Sequence, residues 1–156
     1  MSSFSHIDEQ GKSRMVDVTD KPHSVRTARA TGVVKTSVQL LSLLREGKIS
    51  KGNPLDVAKI AGIMAAKNTA HLIPLCHPLA LTHVDVAFQL LDDGIRLEAT
   101  VTAEGKTGVE MEALTAVCVA ALTLYDMCKA VDHEMTITDI FLSEKTGGRS
   151  GHYLRK

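Results

Sequence analysis

Asp126 and Lys129 stand three residues apart, the spacing that puts two side chains on one face of a helix. A carboxylate beside an ammonium can relay protons when burial shifts their pKa values. Left in solvent, the same pair is an ordinary surface ion pair worth a few tenths of a kcal/mol. The apolar turns ahead of it, A-L-T-A-V-C-V-A-A-L-T-L-Y at 113–125, tilt the reading away from a fully exposed pair. The other end of the same run carries Lys106, Glu110 and Glu112. Lys51 lies just before a helix start at Asn53, where a cation opposes the helix dipole; that is unfavourable for stability and points to a role, the alternative being a solvated loop lysine. Pro74-Leu75-Cys76-His77-Pro78 presents a thiol and an imidazole on a rigid loop. Adjacent side chains on extended backbone point apart, so a Cys–His nucleophilic dyad is disfavoured, and His77 reads as a substrate donor or a structural loop histidine. Lys145-Thr146-Gly147-Gly148-Arg149-Ser150-Gly151 joins two cations to flexible backbone, which suits folding over a phosphate as well as it suits a polar C-terminal tail.

These residues need elements to hold them. The stretch 104–131 predicts a core helix, buried on most faces, with ionisable residues at both tips. The loop E-G-K-T-G before it resembles a phosphate loop but lacks the first glycine of that motif, since Thr100 stands there. Thr107 and Glu110 have the spacing of a capping box, a reading compatible with anion binding at the helix start. Upstream, Met15 to Thr19 alternates as a short strand would, and the segment from Val25 reads as a strand with Gly32 inside it, which signals a bulge or a close backbone approach. Ser37 starts an amphipathic helix that stops at Gly47. Asn53-Pro54-Leu55-Asp56 starts another, running to about His71, with small residues at 58, 61, 62, 65 and 66. Val84–Leu90 and Ile95–Ala103 alternate on either side of Asp92-Asp93-Gly94, the pattern of a hairpin, and a last strand falls at Met135 to Glu144. Each hairpin strand has one apolar face, so helices should cover one side of an antiparallel sheet. The order is close to the β-α-β-β-α-β ferredoxin-like pattern with one inserted helix, an α+β plait.

The 156 residues suit one domain with a real core, and 44% hydrophobic with 23% charged residues are ordinary globular values. We expect a polar, flexible tail over residues 1–14 and a single catalytic domain over 15–156. Net charge is zero and aromatics are 3%, which argues against a nucleic-acid partner while leaving a local basic pocket open. Three cysteines without C-x-x-C spacing suggest neither a disulfide framework nor a zinc ribbon. The N-terminus has no apolar signal region and no run is expected to span a membrane, so a cytoplasmic protein is expected.

M-V-D-V-T at 15–19, A-K-I-A-G-I-M-A-A-K at 58–67, L-I-P-L-C-H-P-L at 72–79, G-K-T-G-V-E-M-E-A-L-T-A at 105–116 and L-Y-D-M-C-K-A-V at 124–131 together resemble the MoaC family of molybdenum-cofactor biosynthesis. The resemblance covers nearly the whole chain beyond the tail. It implies a lyase that takes a cyclised dihydro-guanosine triphosphate, supplied by a radical-SAM GTP cyclase, to a cyclic pyranopterin monophosphate with release of pyrophosphate. It implies no metal or organic cofactor, a ferredoxin-like fold, and a homohexamer arranged as a trimer of dimers. Carried over by motif, Asp126, Lys129 and Lys51 are the catalytic candidates. Leu75, Cys76, His77, Met111 and Glu112, with Glu110 beside them, line the substrate, and Arg26 and Lys145 meet its phosphates.

Two other classes compete with the enzyme: a nucleotide- or pterin-sensing module without turnover, and a metal protein using His71, Cys76, His77 or His83. Presence of the Lys51, Asp126 and Lys129 set favours the enzyme over the sensor. Glu112 and Asp126 are fourteen residues apart, about 21 Å on an ideal helix and within about 40° of one face. One compact ligand does not bridge that distance, so the expected pocket combines helix ends from two subunits.

Overall fold

The structure is a computed structural model that describes residues 6–149 and 151–156. Its elements follow as β1 (Ser24–Lys35), α1 (Val38–Arg45), α2 (Pro54–Lys67), α3 (Thr69–Leu72), β2 (Leu81–Leu90), β3 (Gly94–Gly105), α4 (Glu110–Cys128), β4 (Thr136–Thr146) and β5 (Tyr153–Leu154). The sheet order is β2-β3-β1-β4-β5, with every neighbouring pair antiparallel. Without the short β5, this is the expected ferredoxin-like plait.

Period-two patterning decides which face is covered. Ala28, Ala30, Gly32 and Val34 of β1 are buried, and their register partners Val101, Ala99, Leu97 and Ile95 on β3 are buried with them. The opposite face carries Thr27, Arg29 and Thr31 against Thr102, Thr100 and Glu98. Helices α2 and α4 lie on the apolar face, with α4 against β1, β3 and β4 and α2 against α4 and β2. Small side chains set the distance between the two helices. A Cβ on Gly62 of α2 would sit 3.0 Å from the Ala116 carbonyl of α4 and 3.3 Å from the Ala120 methyl.

Local signals place the helix starts as expected. Ser37 Oγ accepts from the Leu40 N–H, and Asn53 Oδ1 accepts from Leu55 and Asp56, with Pro54 in the first turn. Other expectations are corrected. Met15 to Thr19 forms no strand: it does not pair with the sheet and leads into a turn at Thr19, its alternation fitting it to a cavity wall described below. Helix α2 ends at Lys67 rather than near His71, because Asn68 leaves helical geometry and α3 is a separate turn. Val109, not Thr107, precedes the first turn of α4 and no side chain caps it; the Glu110 carboxylate is taken by Lys145 instead. Lys145 and Thr146 belong to β4, and Gly147 and Gly148, both at positive φ, turn the chain back toward β5; Ser150 lies outside the described residues. Residues 1–5 of the expected tail also lie outside them, while residues 6–14 make a local turn bridged from Ile7 to Ser13. Helix α4 does reach the length and apolarity of a membrane span, contrary to expectation, but it is packed on the sheet as the core helix.

Gly32 is where α4 crosses β1: an added Cβ would lie 2.7 Å from Val117 Cγ1 and 3.1 Å from Ile140 Cγ1, and the β1–β4 register also shifts between Thr31 and Val33. Gly32→Val should therefore destabilise the fold by about 1–3 kcal/mol through overpacking. Urea unfolding monitored by circular dichroism checks this, and an unchanged midpoint would contradict the close approach.

Candidate active site

The C-terminal end of α4 holds the first group. Lys129 closes the helix, its N–H bonded to the Tyr125 carbonyl, and its ammonium donates to Asp126 Oδ1 at 2.8 Å. Lys51 reaches over from the loop before α2, where Gly52 takes a positive φ, and its Nζ lies 3.5 Å from the Asp126 carbonyl oxygen. Asp132, which the sequence reading passed over, ties down the chain just after the helix: its carboxylate accepts from Thr36 Oγ1 at 2.7 Å and from the Ser37 N–H at 2.8 Å. The structure thus brings Lys51, Asp126 and Lys129 together. It leaves them open, with the Asp126 side chain 66% and the Lys129 side chain 47% exposed. Contact with Lys129 holds the Asp126 carboxyl below the usual range, and contact with Asp126 raises the Lys129 ammonium. A desolvated site would need one lysine lowered. Lys129 moves the other way, because within one chain the pair stays in solvent and each ion stabilises the other.

The N-terminal end of α4 opens on two adjoining cavities. The smaller, about 400 Å³, is walled by Leu75, Cys76, His77 and Leu79 from the double-proline loop and by Glu110, Met111 and Glu112 from the first turn of α4. Val16 and Val18 form its remaining apolar wall. His77 Nε2–H donates to the Val16 carbonyl at 2.8 Å and Lys106 Nζ donates to the Thr19 carbonyl at 2.6 Å, so two side chains latch the 15–21 segment across the opening. Glu112 is only 4% exposed; burial, with Glu110 adding to it, pushes its carboxyl from 4.5 up to about 7. Burial and the neighbouring Glu112 also raise the Cys76 thiol, which keeps it protonated and unsuited to nucleophilic attack.

The larger cavity, about 550 Å³, is basic: Lys21, Arg26, Lys106, Lys145 and Arg149 line it, with Glu110 as its carboxylate. Lys145 and Glu110 pair at 2.8 Å. Arg26 donates through Nε to the Gly105 carbonyl at 3.0 Å and through Nη2 to that of Lys106 at 3.2 Å. Gly148 packs directly on its guanidinium, where any Cβ would collide. The residues before α4 and its uncapped first turn, Thr107 to Glu110, complete the wall, an arrangement that suits an anion. Ser24 Oγ is buried in the same wall with no hydrogen-bond partner.

Leu75, Cys76, His77, Met111, Glu112 and Glu110 therefore share one cavity, and Arg26 and Lys145 share the next with Glu110. Lys51, Asp126 and Lys129 line neither. Among the described residues, no three of His, Cys, Asp and Glu converge as metal ligands. Sequence reasoning missed Lys21 and Ser24 as wall residues and left Lys106 without a role, while Arg149 belongs to the loop that suits folding over a phosphate. Only the loop position of Lys106, between strand and helix, carried a signal.

The profile of the MoaC family matches residues 15–148. The chain is 55% identical over 154 residues to a cyclic pyranopterin monophosphate synthase of Desulfitobacterium hafniense, covering 98% of this chain and 94% of the relative. It is 56% identical over 158 aligned residues to the protein of the same name in Heliobacterium modesticaldum, covering 100% and 99% of the two chains. Cyclic pyranopterin monophosphate synthase 3 of Mycobacterium tuberculosis is 57% identical over 153 residues, covering 97% and 86%.

Raising the folded-state pKa of Glu112 makes the folded chain bind that proton more tightly than the unfolded chain. Its contribution to stability is complete below pH 4.5 and is lost as pH rises to about 7. Glu112→Gln has no such proton to lose. Its stability relative to the parent chain should climb across that window by up to roughly 3 kcal/mol. Urea unfolding at pH 4.5 and pH 8 measures the change, and a pH-independent difference would mean that the carboxyl is not perturbed.

Proposed function

The chain belongs to the MoaC family, and we propose that Lys51, Asp126 and Lys129 are the catalytic set with which it works as a cyclic pyranopterin monophosphate synthase. The enzyme is a lyase of molybdenum-cofactor biosynthesis that acts on a small-molecule substrate. It rearranges the cyclised dihydro-guanosine triphosphate to the pyranopterin, closes the cyclic phosphate and releases pyrophosphate. The pairing of an acid-and-apolar chamber with a basic one carries this reading, because the substrate joins a purine-derived ring to a polyanion.

Each group has a task. Glu112 and His77 hold the ring system in the smaller cavity, beside Leu75, Cys76 and Met111. Arg26 and Lys145 meet the phosphates in the basic one, with Glu110 orienting Lys145. Lys51 and Lys129 move protons during ring opening and closure. Lys129 enters as the acid, since Asp126 keeps it cationic. Residues 15–156 form the one catalytic domain, which acts in the cytoplasm downstream of a radical-SAM GTP cyclase.

A complete pocket forms where the Lys129 end of one subunit meets the Glu112 end of another, within a hexamer built as a trimer of dimers. Helix α4, 19 residues, holds its ends about 28 Å apart. Val57, Ile60 and Met64 on one stripe of α2 and Leu122 on α4 are 41–60% exposed, the kind of apolar surface that a partner subunit covers. Closure of that interface would desolvate the exposed Lys129–Asp126 pair and bring its pKa values into a working range.

Incubation of the chain with the cyclised triphosphate should yield pyrophosphate together with a cyclic-phosphate pterin; neither product from folded protein would sink the reading. Lys51→Ala and Lys129→Ala should each lower kcat by at least about 100-fold while the oligomer persists, and near-normal turnover in both would remove the catalytic assignment. Lys129→Ala and His77→Ala chains, inactive apart, should recover roughly a quarter of the parent turnover when unfolded and reassembled together, the statistical share of sites with two intact halves. No recovery from a mixed oligomer would argue for sites confined to single chains.

A further inference from the structure

The two cavities at the start of α4 share a partition made of Lys21, Thr107, Gly108 and Glu110. Lys21 is its one cation. The chain brings it there by a tight turn in which the Lys21 N–H donates to the Val18 carbonyl at 3.0 Å, while Asp17 Oδ1 accepts from the Thr19 N–H at 2.8 Å. The two latches on Val16 and Thr19 hold that turn against the protein.

The other half-buried cations here have partners within the chain. Lys145 is paired with Glu110, Arg26 is bonded to the carbonyls of Gly105 and Lys106, and Lys106 is bonded to that of Thr19. Lys21 is half-buried and has no ion pair or side-chain hydrogen bond among the described residues. A half-buried lysine that lines two cavities without a counter-ion is placed to take an anionic ligand as its partner. We propose that Lys21 is a substrate-contacting residue that binds the innermost phosphate of the ligand, the one joining the ring-bearing part in the smaller cavity to the outer phosphates in the larger. This rests on the reading of the site given above. Its position follows from geometry: a ligand spanning both chambers must cross the partition, and the first phosphate, joined to the ring system through the sugar, is the phosphate nearest that crossing. The outer two phosphates then fall to Arg26, Lys145 and the uncapped start of α4.

GTP and inorganic pyrophosphate separate this role from general attraction. GTP carries the inner phosphate joined to a ring-bearing part, whereas pyrophosphate has nothing to seat in the smaller cavity and is expected at the outer positions. Calorimetric titration of the assembled protein should show Lys21→Met binding GTP about tenfold more weakly, while pyrophosphate affinity stays within about twofold. Lys21→Arg should restore most of the GTP affinity. Methionine keeps the apolar stem, so circular dichroism and oligomer size should match the parent. Lys35→Met, at the far end of β1, removes the same charge and should alter neither affinity. Unchanged GTP affinity in Lys21→Met, an equal loss for both ligands, or absence of GTP binding to the parent chain would each overturn the proposal. Turnover of the cyclised triphosphate is measured separately: a parent chain that binds GTP but forms no product defeats the synthase reading, and the Lys21 comparison is still decided by the binding data.

Discussion

Small residues let the α4 backbone settle between its neighbours: Gly62 of α2 meets Ala116 and Ala120, and Gly32 of β1 meets Val117. Nothing larger fits at those contacts without displacing a neighbour, and close packing of this kind makes the helix a fixed rod rather than an adjustable one. Both groups of ionisable residues depend on that rod. Its first turn supplies Glu110, Met111 and Glu112, and its last supplies Asp126, followed by Lys129 at the cap. Asp132 secures the far end through Thr36 and Ser37, and the 145–148 turn secures the near end through Glu110 and Arg26.

Burial divides the chemistry between these ends. Glu112 lies under the double-proline loop and loses water, so its carboxyl rises toward neutrality and can donate as well as accept a hydrogen bond. Asp126 and Lys129 keep water and each other, so both stay charged. A chain with no net charge therefore holds a near-neutral acid at one end of the helix, five cations around the adjoining cavity, and an open ion pair at the other end. Global charge describes none of these, since desolvation and contact act within a few ångströms.

The parts legible in the sequence were those set by short-range physics. The Asn53-Pro54 start, the Ser37 cap, the hairpin around Gly94 and the buried character of α4 all follow from local backbone preference and hydrophobic period. The D-M-C-K and L-C-H-P motifs likewise identified residues that the fold then gathered into groups. What failed did so for tertiary reasons. Alternation at Met15 to Thr19 looks the same whether one face meets a sheet or a cavity, and here Val16 and Val18 face the cavity. The capping box at Thr107 and Glu110 was outcompeted by an ion pair to Lys145, thirty-five residues away. Lys21 could not be found locally at all: its significance comes from lacking a partner, which only the packed chain reveals.

The arrangement also explains why the catalytic candidates look unfinished in one chain. Proton transfer by an ammonium near neutral pH requires that its charged form be made less favourable, as an apolar wall would do, and the Lys129 side chain is instead 47% exposed. Such a wall exists elsewhere on the molecule, around Glu112 and on the exposed stripe of α2. Rigid packing of α4 prevents either end from moving to the other. Under the assembly proposed above, a second copy of the chain would supply that desolvation, and assembly itself would switch the lysines from surface cations to working acid and base.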